Sequence, residues 1–188
     1  MISIPLMILL GVIGVAVVMG LWLVGTYNGL VTLRQAVRNA WAQIDVQLRR
    51  RHDLIPNLVN TVKGYATHEK ETLERVITAR AKATSVTLPA ERIKAEGELS
   101  SALARLLAVS ESYPELKANQ NFLSLQEELT STENRVAYAR QFYNDSVTKL
   151  NTRVQTFPTV VIAGMFGFKE EPFFEAPAES KEAPKVQF

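Results

Sequence analysis

Residues 2–51 read ISIPLMILLGVIGVAVVMGLWLVGTYNGLVTLRQAVRNAWAQIDVQLRRR, and the change of pattern inside this stretch decides the fold. No charged side chain occurs before Arg34. From Ile2 to Val24 nearly every residue is Ile, Leu, Val, Met, Gly, Ala or Trp. An apolar run of that length crosses the roughly 30 Å hydrocarbon core as a helix. Gly11, Gly14, Gly20 and Gly25 would weaken a helix in water, but glycine is common in membrane spans. Trp22 and Tyr27 stand where interfacial aromatics belong. A cleaved signal peptide would need a basic start, a shorter apolar core and a small-residue cleavage site. Here no Lys or Arg precedes the core and the core is too long, so the expectation is an uncleaved anchor over residues 1–25. Its glycines form no clean small-xxx-small face, which leaves pairing through the span open.

Beyond the span the period changes. Leu30, Leu33, Val37, Trp41, Ile44 and Leu48 alternate by three and four, one apolar stripe on a helix. No proline separates them from the span, so one rod is expected from the bilayer to about Arg51. Asp53 is a good N-cap and Pro56 fits a first turn, which predicts a second helix starting there. Its stripe is Leu54, Leu58, Val62, Tyr65, Leu73, Val76 and Ala79. Pro89, with Thr87 as cap, opens a third helix carrying Ile93, Leu99, Leu103, Leu106 and Leu107, ending near Ser112 before Pro114. In the fourth, Phe122, Leu129, Val136, Tyr143, Leu150 and Phe157 recur every seven residues, with Leu125, Ala139, Val147 and Val154 between them. That is the pattern of coiled-coil-like bundle packing.

No stretch alternates with the period of a strand. The expected class is therefore all-α: an N-terminal transmembrane helix followed by an antiparallel long-helix (four-helix) bundle over residues 26–156. An apolar C-terminal segment follows at 157–174, then a disordered tail at 175–188 rich in Glu, Lys, Pro and Ala. Antiparallel packing brings the end of the fourth helix back toward the start of the first. It would return the uncharged FPTVVIAGMFGF of residues 157–168 to the bilayer surface. Val160, Val161, Ile162, Met165, Phe166 and Phe168 then touch membrane or partner, or else cover the open end of the bundle. Arg34 and Arg38 just after the span put the bundle in the cytoplasm and the N-terminus outside, in a single-pass protein of the plasma (inner) membrane.

Composition removes several classes of function. The net charge of +2 over 188 residues lacks the basic excess of a nucleic-acid binder. There is no cysteine, so disulfides, thiolate catalysis and cysteine-based zinc sites are absent, and the two histidines cannot build a His-rich centre.

The stretch YNGLVTLRQAVRNAWAQIDVQLRRRHDLIPNLVNTVKGYATHEKETLE (27–74) and the stretch TENRVAYARQFYNDSVTKLNTRVQTFPTVVIAGMFGFKEEPFFEA (132–176) together make the chain resemble the LemA family. The resemblance covers about half the chain. It implies an N-terminal membrane helix, an outside N-terminus and a cytoplasmic helical bundle, and it supplies no catalytic residue.

Candidate chemistry is sparse. His68-Glu69 begins the zinc-protease motif H-E-x-x-H, but the fifth residue is Thr72 and the second ligand is missing. Arg49, Arg50, Arg51 and His52 read as a solvated charge run at a helix end. Glu133, Asn134, Arg135, Arg140, Asn144 and Asp145 form a polar series on the fourth helix. Within it Glu133, Asn134 and Arg140 suggest an interhelical polar layer that fixes register, a layer Asn57, Asn60 and Lys63 could face. The expectation is a non-enzymatic, membrane-anchored scaffold or adaptor that binds other proteins or itself. Its expected partners are the lipid bilayer, a second copy of the chain, and unidentified membrane or cytoplasmic proteins. No nucleic acid, cofactor or metal is expected. The alternatives are a membrane-organising, lipid-contacting protein and a cryptic ligand-binding bundle or enzyme.

Overall fold

The chain is described by a computed structural model at residues 4–66 and 68–174, so the tail expected at 175–188 lies outside the described residues. Among the described residues every regular element is a helix: α1 (Ile4–Tyr65), α2 (Lys70–Ser85), α3 (Pro89–Ser110), α4 (Pro114–Lys117), α5 (Gln120–Gln155) and α6 (Thr159–Met165). By contacts these residues divide into two compact units. The first holds residues 4–41 and 142–173, the second residues 42–141 and Phe174.

The break expected at Asp53 is absent. α1 runs unbroken through Pro56 for 62 residues to Tyr65, and the next helix starts at Lys70. Proline has no N–H, so the carbonyl four residues earlier, that of His52, loses its intrahelical donor. Arg80 of α2 replaces it, its Nε donating to the His52 carbonyl at 2.7 Å. With that acceptor satisfied from outside, the helix continues.

In the second unit the last part of α1, α2, α3 and the first part of α5 form the four-helix arrangement. Ile55, Leu58 and Val62 of α1, Leu73 and Val76 of α2, Leu99, Leu103 and Leu106 of α3, and Phe122 and Leu129 of α5 fill its core. The expected stripes are buried or partly buried, except that Tyr65 is exposed. Pro89 takes the first position of α3 and holds the residue before it extended. The N-cap is therefore Leu88, not Thr87, and it makes no side-chain cap. Asn119 caps α5: its Oδ1 accepts from the N–H groups of Asn121 and Phe122 at 2.9 and 3.1 Å. Its amide also donates to the Tyr65 hydroxyl at 2.9 Å, tying the end of α1 to the start of α5. With Arg51 of α1 at 2.9 Å from Glu133 of α5, this fixes the two helices as antiparallel in this unit.

In the first unit Leu30, Val37 and Ala40 of α1, Tyr143, Val147, Leu150 and Val154 of α5, and Ile162 and Ala163 of α6 are buried, and the Trp41 ring of α1 meets Tyr143 edge-on at 5.5 Å. The seven-residue series on α5 is buried from Phe122 to Leu150, but Phe157 falls past the end of the helix and is exposed. The apolar window at the start of α1 is 0% buried. Residues 4–25 alone span about 33 Å at roughly 1.5 Å per residue, enough to cross a bilayer core. An apolar helix bare on every side is a buried or membrane-spanning helix, and nothing in the unit buries this one, which points to a membrane location.

Candidate functional site

Two places hold the chemistry of the chain. One is a charged layer inside the second unit, to which α1, α3 and α5 contribute. Glu96 of α3 is fully buried (0% exposed), and Arg51 and His52 of α1 are nearly so. The ring Nε2 of His52 lies 2.7 Å from Glu96 Oε1. Arg51 lies 3.8 Å from the other Glu96 oxygen and 2.9 Å from Glu133 of α5, and its Nη2 donates to Ser100 at 3.0 Å. Arg92 of α3 reaches Asp45 of α1 at 2.6 Å, and Asp45 also meets Arg49 at 2.7 Å. The contacts of Arg51 Nη1 with both carboxylates are charge pairs without hydrogen-bond alignment.

The sequence-predicted polar residues fare unevenly. Glu133 joins the layer, with its side chain partly open to solvent. Arg140 lies near it: burial lowers its guanidinium pKa, Glu133 and Glu96 raise it, and Arg51 lowers it. Its guanidinium stacks on the Phe174 ring at 4.7 Å. Asn134 is exposed, as are Asn57, Asn60 and Lys63, so none of these four faces the layer. The run Arg49–His52 is not a solvated face throughout. Arg49 and Arg50 are exposed, whereas Arg51 and His52 point inward, because a helix turns about 100° per residue. Sequence reasoning missed Arg51, His52, Glu96 and Asp45 as members. A signal was present: Arg51 and His52 continue the three/four spacing from Leu48 to Ile55, and Glu96 lies seven before Leu103. Among the described residues no group of three or more His, Asp or Glu side chains could hold a metal ion.

The second place is α6 with its flanks, in the first unit. Phe157-Pro158 is a cis peptide, and α6 follows. α6 ends in a Schellman motif: Phe168 N–H donates to the Ala163 carbonyl at 2.9 Å and Gly167 N–H to that of Gly164 at 3.4 Å. Gly167 sits at φ +69°, the left-handed conformation such a cap requires. The turn lays Phe168 against α1, where its ring lies 5.7 Å from Tyr27 and under the Arg34 guanidinium at 4.8 Å. Phe166 meets the same Tyr27 ring at 4.9 Å. Of the six residues expected to touch membrane or partner, Ile162 and Phe168 are buried in the unit. Val160, Val161, Met165 and Phe166 remain exposed. Asn151 holds the chain beyond, donating to the Glu171 carbonyl and accepting from its N–H, each at 2.9 Å. The Tyr143 hydroxyl donates to the Pro172 carbonyl at 3.0 Å.

A model of the LemA family matches residues 40–188. The chain is similar to Protein LemA of Metamycoplasma hominis, 25% identical over 154 residues that cover 81% of this chain and 70% of that protein. It is also similar to Magnetosome protein MamQ of Magnetospirillum gryphiswaldense, 25% identical over 179 residues, 81% of this chain and 66% of that one. For Magnetosome protein MamQ 2 of Paramagnetospirillum magneticum the identity is 24% over 175 residues, 79% of this chain and 64% of the other. The chain spans less than two thirds of the length of these two magnetosome proteins.

Proposed function

We propose a function from one premise, that the chain belongs to the LemA family: it is a membrane-anchored, non-enzymatic scaffold that works by protein–protein association, including with copies of itself. The observation that carries this reading is the use to which the reactive side chains are put. Arg51, His52, Glu96, Glu133, Asp45 and Arg92 are engaged with one another inside the four-helix unit. A catalytic site needs an acid, base or nucleophile within reach of a substrate. These groups instead read as a layer that fixes helix register, the best-attested use of buried polar groups. The outer surface, by contrast, presents large apolar side chains such as Tyr138, Ile77 and Leu88 in the second unit. Such residues suit contact with other proteins, and a single-pass anchor raises the effective concentration of neighbouring copies.

Orientation follows from Arg34 and Arg38, which favour a cytoplasmic bundle and an outside N-terminus. The chain has no cysteine, so single engineered cysteines report sidedness directly. A cysteine replacing Ser3 is expected to react with an impermeant reagent on intact cells, and one replacing Tyr138 only after lysis.

The test of association is cross-linking of the full chain in native membranes, followed by sizing in mild detergent. Discrete multiples of this chain, or a constant complex with one other protein, support the scaffold. Monomer at every cross-linker dose overturns it.

A further inference from the structure

We infer that the outer face of α6, with Phe157 before it, is a second membrane contact: it lies in the boundary between acyl chains and headgroups of the bilayer that α1 crosses. All the residues involved belong to the first unit. α6 divides cleanly. Thr159, Ile162 and Ala163 are buried against the unit, while Val160, Val161, Met165 and Phe166 face out, Met165 being 70% and Phe157 78% exposed. Val161 and Met165 are four apart and so share one face of α6, and Phe157, two residues before the helix, is exposed as well. No charged side chain occurs between Thr156 and Lys169. A ridge this apolar and this uncharged is costly in water.

Its occupant is indicated by continuity. The ridge is not isolated on the surface. Phe166 and Phe168 sit edge-on to Tyr27, which is two residues past Gly25 at the end of the bare apolar stretch of α1. Trp22 and Val24, just before it, are exposed as well. The bare face of the span and the bare face of α6 therefore meet at Tyr27, at the level where aromatic rings collect in membrane proteins. Arg34 over Phe168 then places its charge one turn or two beyond, where lipid phosphates lie. A short amphipathic segment of this kind rests its apolar side a few ångströms into the interface. A lipid surface continuous with the span satisfies both faces at once. A second protein would have to cover the ridge at the rim of the bilayer.

This contact deepens the anchored reading but does not depend on self-association, and the two fail separately. The experiment uses the full chain in nanodiscs, with single cysteines at Val161, Met165 and, for comparison, the exposed polar Thr148 of α5. Each carries an environment-sensitive fluorophore. Each is quenched by iodide from the buffer and by nitroxide lipids labelled near the headgroup. Labels at 161 and 165 are expected to be blue-shifted, strongly quenched by the nitroxide lipids, and several-fold less open to iodide than the label at 148. Far-UV circular dichroism of each labelled chain, matched to the wild type, establishes that it is folded. Labels at 161 and 165 that behave like the one at 148 overturn the inference. Labels shielded from iodide but untouched by nitroxide lipid also overturn it, and assign the ridge to a protein partner. Lipid quenching in a chain that cross-linking finds monomeric upholds the contact and removes only the scaffold.

Discussion

The two units of this protein differ in what they add to an apolar core. The unit of residues 42–141 takes arginine, histidine and glutamate inside and leaves them facing one another: Glu96 is fully buried beside Arg51 and His52. The unit of residues 4–41 and 142–173 has Leu30, Val37, Leu150 and Ile162 inside, and leaves valines, phenylalanines and methionines bare along α1 and α6. The contrast shows where each unit finds its missing stabilisation. Internal charges need partners from within the chain, and exposed apolar surface needs an environment from outside it.

That contrast can be broken at its charged end first. Arg51→Met leaves Glu96 buried without its guanidinium, and removing one member of a buried pair costs about 3–5 kcal/mol. Denaturation of the full chain in detergent, monitored by circular dichroism, should register a large loss. A change under about 1 kcal/mol would mean that the charges are not a paired interior. Arg80→Met is expected to cost less, about 1–3 kcal/mol, because it strips the donor from the His52 carbonyl. The loss should be smaller in a Pro56→Ala background, where the helix supplies its own N–H. Equal losses in both backgrounds would remove the explanation given for the unbroken α1.

The other unit is sharpened by changes near α6. Gly167→Ala places a side chain in the left-handed region, at a cost of about 1–2 kcal/mol. Beyond its two chain neighbours nothing lies within 4 Å of the added Cβ, so the penalty is conformational. Hydrogen exchange should show protection lost at Phe168 while the second unit keeps its own. Tyr143→Phe removes the donation to Pro172, worth about 1 kcal/mol. The Tyr143 pKa is raised above its ordinary value, first by burial and then by Glu171. The protonated ring is therefore the one the fold favours. Its contribution is complete below about pH 10 and fades as pH rises through the higher folded value. The alkaline decline of stability should be shallower in Tyr143→Phe than in the wild type.

Much of this was legible from residue order. The switch from an unbroken apolar run to a three/four stripe marked the bare and the packed stretches of α1, and the sevenfold recurrence from Phe122 to Leu150 located α5. What failed was whatever depended on a distant partner. Pro56 looked like a helix start because its remedy, Arg80, stands on another helix, 28 positions from the His52 carbonyl it serves. Arg51 looked like one of three equivalent arginines because Glu96, its partner, lies on another helix. Within α6 the sequence marked the apolar segment. It could not divide it, because Ile162 and Val161 are chemically alike and differ only in the side of the helix they occupy.

The contact between Arg80 and the His52 carbonyl also constrains the order in which two positions can change over a lineage. With Pro56 in place, losing the arginine leaves a backbone acceptor unanswered, and such a chain starts at a disadvantage. If the proline goes first, the helix closes its own ladder and the arginine becomes dispensable. The two substitutions reach the same end point, but only one of the two routes to it avoids leaving the His52 carbonyl without a donor.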